Sequence, residues 1–314
     1  MAAERAAIVA AAQSSIAKGS KSFAAASRLF DRQTRERAWL LYAWCRACDD
    51  IADGQELGAR MTAVADPQAR LADLTANTQA ALRGDTVDKA PFDALRIVAA
   101  ETGLPHQFVR DHIAGFALDA AGWRPQTEAD LLRYCYHVAG VVGCMMAVVM
   151  GVAPADEATL DRACDLGLAF QLANIARDVA EDAGAGRCYL PAEWLAEEGI
   201  AEATLLAPEH RVAVARLTAR LAERAAAYEA SARLGTPALA FRSAWAVLAA
   251  AAIYGEIGRE VARRGAVALD ARVTTSTWQK LRLMVVARQQ AANRHLLFPP
   301  HERSPSLWRR PHHR

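Results

Sequence analysis

The sequence predicts an all-α protein, a single-domain helical bundle, on three observations. Apolar residues recur at the helical period along most of the chain, and nothing alternates convincingly with period two. Alanine, the strongest helix former, is abundant throughout. The 314 residues are 53% hydrophobic and carry no Pro/Ser-rich linker, so the apolar helical pattern continues across the middle. A chain of this length hides roughly three quarters of its unfolded surface, enough for a large core.

Helices are expected at about 3–18, 22–31, 34–53, 67–83, 92–101, 105–120, 127–152, 156–183, 191–197, 207–232, 237–264 and 272–290, within a domain covering 1–298. Residues 54–66 and 84–91 carry the turn residues of surface connections, Gly54 and Gly58 in the first, Gly84, Asp85 and Pro91 in the second. Residues 299–314 hold proline, arginine and histidine without periodicity and read as a mobile basic tail. The longest apolar run, Val138–Ala153, falls short of the roughly 20 residues a spanning helix needs and contains three glycines. It reads as a buried helix in which Gly140 and Gly143 allow close approach of a neighbour, and no transmembrane segment is expected.

Composition excludes several classes. A net charge of +2 is too small to argue nucleic-acid binding. Six cysteines without a pairing pattern, in a chain read as lacking a signal peptide, suggest reduced thiols in a cytoplasm. Cys45 and Cys48 form a CxxC in mid-helix with no second pair, so Cys48 reads as a core thiol rather than a zinc ligand. No GxGxxG follows a strand, and the eight histidines show no HExxH spacing.

Chemistry concentrates on two helices. In QLANIARDVAED, Gln171, Asn174, Asp178 and Asp182 fall within a stripe roughly 80° wide, flanked by Arg177 and Glu181. The remaining side chains there are apolar or small. Oxygen-bearing groups at i, i+4 and i+8 on a buried helix strain a core unless they meet a cation, a partner or water. Hard oxygens in a row suit Mg²⁺, which takes one or two carboxylates plus substrate phosphates. In TRERAWLLYAWCRACDDIAD, Tyr42, Arg46, Asp49 and Asp53 lie within about 60° of one another, opposite Leu40, Ala43, Trp44, Ala47, Cys48 and Ile51. Carboxylates repel at this spacing. Either row alone also reads as a solvated polar stripe, but two rows together point to a metal-dependent diphosphate site.

The stretches YAWCRACDDIAD and QLANIARDVAEDAGAGRCYLP resemble the two signatures of the squalene/phytoene synthase family, the head-to-head prenyl synthases. The resemblance runs from Ser20-Lys21-Ser22-Phe23 to Arg272-Val273 and is most like the bacterial phytoene synthases. It implies a class I isoprenoid synthase bundle around a central apolar cavity. It implies Mg²⁺, with Mn²⁺ as a substitute, held by Asp49 and Asp53 on one wall and by Asn174, Asp178 and Asp182 on the other. Two prenyl diphosphates are the implied substrates. Ser20, Lys21, Ser22, Phe23, Tyr42, Arg46, Tyr134, Gln171, Arg177, Tyr189 and Arg272 are the implied substrate contacts, with guanidinium groups on diphosphate oxygens. On sequence alone Ser20 reads first as an ordinary helix cap, a reading that only the resemblance reverses, while the arginines are equally aspartate partners and Tyr134 is equally a core ring.

By the same resemblance, Tyr254 lies near the reacting carbons, where a π face stabilises a carbocation, and Gly184–Tyr189 folds over the diphosphate and excludes water. The implied reaction ionises one diphosphate, forms a cyclopropylcarbinyl diphosphate by attack of the second prenyl double bond, then ionises again, rearranges and loses a proton. Small residues after Phe23 (Ala24, Ala25, Ala26, Ser27) favour a long tail, hence geranylgeranyl diphosphate, phytoene and no NADPH. Squalene or dehydrosqualene synthesis from farnesyl diphosphate is the alternative, as is a non-catalytic helical assembly protein of the family. A chain-elongating prenyltransferase is disfavoured because it pairs two DDxxD motifs, whereas the second motif here is NxxxDxxxD. An insoluble product makes peripheral membrane contact an expectation, assisted by Arg303, Arg309, Arg310 and Arg314. The sequence does not define an oligomeric state.

Overall fold

Residues 2–53 and 66–312 are described by the computed structural model, and every regular element among them is a helix. The side chains of Lys21, Ser22 and Asp53 and the connection 54–65 lie outside the described part. Fourteen α-helices follow in order among the described residues. The first six are α1 (Ala2–Gly19), α2 (Lys21–Ser27), α3 (Arg32–Asp53), α4 (Pro67–Arg83), α5 (Ala90–Thr102) and α6 (His106–Ala120). Next come α7 (Glu128–Cys135), α8 (Val141–Val149), α9 (Glu157–Gly184) and α10 (Ala192–Glu197). The last four are α11 (Arg211–Arg233), α12 (Phe241–Arg264), α13 (Thr277–Ala292) and α14 (Arg294–Leu297).

The chain divides into two compact units, residues 1–122 with 144–160, and residues 123–143 with 161–314. In the first, α3 packs against α1, α4, α5 and α6. Its buried face carries Leu40, Leu41, Trp44 and Cys48. The Trp44 indole donates to Thr78 Oγ1 at 3.3 Å and lies 5.4 Å from the His112 ring. Arg5, on α1, ties α3 to α5 through Glu36 at 2.7 Å and Glu101 at 2.5 Å. All six cysteines are free, and burial raises the Cys48 thiol pKa far above its ordinary value, which fits a core thiol.

In the second unit, α12 packs against both α11 and α13. The segment from Glu128 to Val149 is long and apolar enough to cross a membrane, yet 61% of its most apolar window is buried inside the fold, as in a core helix. It is not one uniform α-helix. Tyr136–Gly140 forms a π turn, where the wider ring of hydrogen bonds accommodates an extra residue. Here the backbone runs almost against α9. A Cβ on Gly143 would meet Ala163 O at 2.2 Å, and one on Gly167 would meet Ala139 O at 2.2 Å. Backbone atoms cannot step aside as a side-chain end can. Gly167→Ala is therefore expected to lower unfolding stability by about 2 kcal/mol. Gly184→Ala, where nothing lies within 4 Å, should leave the urea midpoint unchanged.

Two segments differ from the sequence expectation. Residues 272–276 are not helical, because Ser276 caps α13 in a capping box with Gln279, after the β-branched run Val273-Thr274-Thr275. The tail from Pro299 to His312, expected to be mobile, is held by polar contacts within the second unit. Arg303 pairs with the fully buried Asp165 at 2.6 Å, Arg310 with Asp161 at 2.8 Å, and Trp308 N–H donates to the Tyr228 hydroxyl at 3.1 Å. The absence of periodicity excluded a helix there but carried no information about such distant partners.

Candidate active site

In the first unit the predicted residues gather at the junction of α1, α2 and α3. Ser20 is the N-cap of α2, and its Oγ accepts the Phe23 N–H at 3.3 Å. Phe23 lies 5.6 Å from the Tyr42 ring. The last residue of α1 rests on the same tyrosine, since a Cβ on Gly19 would sit 2.5 Å from Tyr42 Oη. Burial pushes the Tyr42 hydroxyl pKa up to about 12, so it is a neutral donor at working pH. One turn along, Arg46 pairs with Asp50 at 2.5 Å, while Asp49 is half-buried beside it. The arginine thus does hold an aspartate, as one sequence reading allowed. Asp53 closes α3.

In the second unit α9 presents Gln171, Asn174, Asp178 and Asp182, all half-buried, while Leu168, Leu172, Ala173, Ile175, Ala176 and Val179 are buried. The apolar majority of the helix therefore anchors the row, leaving one polar stripe partly open. Asp178 is the node. Its Oδ1 accepts from Arg177 Nε at 2.7 Å, and its Oδ2 accepts from a second Arg177 nitrogen and from Arg272 at 3.1 Å. Tyr254 on α12 stacks on Phe170 with centroids 4.2 Å apart. Burial raises the Tyr254 hydroxyl pKa, while the charges of Arg177 and Arg272 pull it down. Arg177, Asp178, Arg272 and Tyr254 therefore form one group.

Asp182 lies one turn beyond Asp178. Burial, then the Asp178 charge, raises its pKa from 3.8 to about 6, and Arg187 opposes the rise. The glycine-broken loop after it turns at Gly186, with φ of +73°, and Arg187 N–H bonds back to Asp182 O at 2.8 Å. Arg124 donates to Gly186 O at 2.6 Å. At the end of this loop Tyr189 stacks on Tyr134 at 5.0 Å, and Tyr134 on Trp123 at 5.5 Å, a second group of predicted residues. Phe170, Trp123, Arg124 and Arg187 had no place in the sequence-based set. Each owes its position to a partner distant in sequence or to a loop turn, and periodicity carries no such signal.

The raised pKa of Asp182 has a measurable consequence. A carboxyl that binds its proton more tightly folded than unfolded stabilises the fold while protonated, below about pH 4, and loses that contribution as pH rises through about 6. Asp182→Asn removes the charge and keeps the shape. In chelator it is expected to melt above the parent protein at pH 8, with the difference vanishing toward pH 4. Thermal melts across that range check it, and a lower melting temperature at pH 8 would show that the charge is already compensated.

These features define an all-helical protein of the class I isoprenoid synthase fold, with two aspartate-bearing helices and arginines beside them. The profile of the squalene/phytoene synthase family matches residues 16–279, and the chain belongs to that family. It is 51% identical over 296 residues to 15-cis-phytoene synthase of Enterobacter agglomerans, covering 93% of this chain and 99% of that one. It is 48% identical over 299 residues to the enzyme of the same name from Pantoea ananas, covering 94% and 96%. Among solved structures, a dehydrosqualene synthase in complex with ligand superposes with a TM-score of 0.80 at 27% identity, covering 92% of this chain and 98% of that chain. The protein is a prenyl-transferring enzyme of isoprenoid biosynthesis that joins prenyl diphosphates head to head. Its family uses divalent metal ions.

Proposed function

We propose that this enzyme condenses two molecules of geranylgeranyl diphosphate through a cyclopropyl diphosphate to phytoene, using Mg²⁺, in carotenoid biosynthesis. The half-buried row on α9, with Asp178 clasped by Arg177 and Arg272, is the observation that carries the reading. A lone carboxylate row in that position would repel itself. Here arginine charge already offsets part of it, and the rest suits a divalent cation.

Each row by itself offers donors that fit Mg²⁺: Asp49 and Asp53 on α3 in the first unit, and Asn174, Asp178 and Asp182 on α9 in the second, hard oxygens with no soft ligand among them. An ion held by such a row would supply Lewis-acid charge to diphosphate oxygens. The protein's own groups do the rest. Arg46, Arg177 and Arg272 bind diphosphate oxygens as planar forks and stabilise the charge that develops as the C–O bond ionises. Tyr42 donates a neutral hydroxyl, and Ser20, Lys21 and Ser22 hold the second diphosphate. Gln171 and Tyr189 border the leaving group, and the Gly184–Tyr189 loop excludes water that would quench a carbocation to an alcohol. Tyr254, braced by Phe170, offers its ring face to cationic carbon. Phe23 and Tyr134 line the prenyl chains, and released pyrophosphate or a tyrosine takes the final proton.

The small residues on α2 support the longer tail. Ala24 and Ala26 are half-buried, and the buried Ser27 directs its hydroxyl to Ala24 O while accepting from the Trp39 indole at 2.9 Å, so it adds little bulk. Purified protein incubated with geranylgeranyl diphosphate and Mg²⁺ is expected to yield phytoene whether or not NADPH is present. Faster turnover of farnesyl diphosphate, or a hydrocarbon formed only with NADPH, would assign squalene-type chemistry instead.

A further inference from the structure

We propose that the exposed face of α13 and the turn after it dock this enzyme on an anionic lipid surface. Six of the ten exposed large apolar side chains among the described residues fall in this one stretch: Trp278, Leu281, Val285, Val286, Leu296 and Leu297. Trp278 is 82% exposed and Leu296 81%, values that no folding requirement explains. On the helical wheel Trp278, Leu281 and Val285 lie within about 60° of each other. The opposite side of α13 holds Ala287 and Ala291, both fully buried, where the helix packs on α12. The apolar stripe is thus left outside by the packing itself.

Charge selects the occupant. From Thr274 to Pro300 the chain carries four cationic side chains, Lys280, Arg282, Arg288 and Arg294, and no aspartate or glutamate, in a protein whose totals are 37 basic and 35 acidic residues. Exposed Arg282 and Arg288 edge the apolar stripe on either side. Arg288 lies 5.9 Å from the centre of the Trp245 ring, which holds its stem along the surface. An indole and aliphatic side chains bordered by arginine match the boundary between acyl chains and negatively charged headgroups. A second copy of the chain would set this positive surface against itself. Two of the tail arginines are engaged inside the second unit instead, Arg303 with Asp165 and Arg310 with Asp161.

The test uses the full chain without substrate, so its failure would leave the assignment of the reaction untouched. Wild-type protein is expected to co-sediment with vesicles of phosphatidylcholine and phosphatidylglycerol, more weakly with phosphatidylcholine alone, and less as salt rises. The double variant Leu281→Glu/Val285→Glu should bind the mixed vesicles about tenfold more weakly with an unchanged melting temperature. Arg282→Gln/Arg288→Gln, which leaves the apolar stripe intact, should lose most of the preference for phosphatidylglycerol. Equal binding by wild type and both variants would overturn the proposal. So would a dimer in sedimentation velocity that Leu281→Glu/Val285→Glu dissolves, because the face would then belong to a second copy.

Discussion

Asp178→Ala is expected to lower turnover of geranylgeranyl diphosphate by about a thousandfold while the protein stays folded. Folding should survive because the position is only half-buried and alanine favours a helix. Removing the carboxylate also relieves its repulsion of Asp182. Activity should not survive, because the same carboxylate orients two guanidinium groups that approach from different parts of the chain. Arg177 binds it through Nε at 2.7 Å, and Arg272, 94 positions away, reaches it at 3.1 Å. Asp178→Asn separates the two contributions. It keeps an oxygen for one arginine but lacks the charge a divalent cation requires, so it should be nearly as inactive as alanine. Arg272→Ala removes one of the two guanidinium groups on Asp178 and leaves the carboxylate, so on the proposed diphosphate-binding role it should raise KM more than it lowers kcat. Steady-state rates across a Mg²⁺ titration, with circular dichroism as the folding control, decide the matter. Near-normal kcat in Asp178→Ala would remove the α9 row from the metal-binding role.

The sequence specifies what is periodic and leaves unspecified what is distant. The helix boundaries of α3, α4, α6 and α9 lie within a residue or two of those expected, because each has a long run of helical spacing and a breaker or cap at its end. The polar stripe of α9 was legible for the same reason, since Gln171, Asn174, Asp178 and Asp182 share a face in any α-helix. Nothing local announces the π turn at Tyr136–Gly140, which lies where Ala139 and Gly143 closely approach Gly167 and Ala163. The start of α13 is legible in Ser276 and Gln279, whose capping box and the β-branched run before it both place the helix start after Thr275. At the site, Arg272 and Tyr254 came from family resemblance alone. Their neighbours Asp178 and Phe170 are distant in sequence, and no spacing rule connects them. Between Pro299 and His312 aperiodicity excludes a helix but says nothing of contacts such as Arg303 with Asp165, which join residues distant in sequence.

That segment carries the other large expectation: Arg303→Ala should destabilise the protein by about 3–5 kcal/mol. Asp165 is wholly inaccessible to solvent, on the same helix as the α9 row. It is stabilised by Arg303 through bonds of 2.9 and 2.6 Å and by the Ser231 hydroxyl. Arg162, beside it, donates to Ser231 Oγ and to His301 O, each at 2.6 Å. Burial already raises the Asp165 pKa above the ordinary carboxylate value with Arg303 in place. Removing the guanidinium leaves a buried anion without its main partner, so the carboxyl should take up a proton in the folded state over a wider pH range. A raised folded-state pKa adds stability below the unfolded value and loses it as pH climbs. The deficit of Arg303→Ala relative to wild type should therefore be larger at pH 8 than at pH 5. Adding Asp165→Asn should recover part of it, since a neutral amide can bond Ser231 without needing a counter-charge. Urea unfolding of the wild type and the single and double variants at both pH values measures each quantity. A segment that made only loose surface contacts would give a change below about 0.5 kcal/mol at either pH, with no coupling between positions 165 and 303.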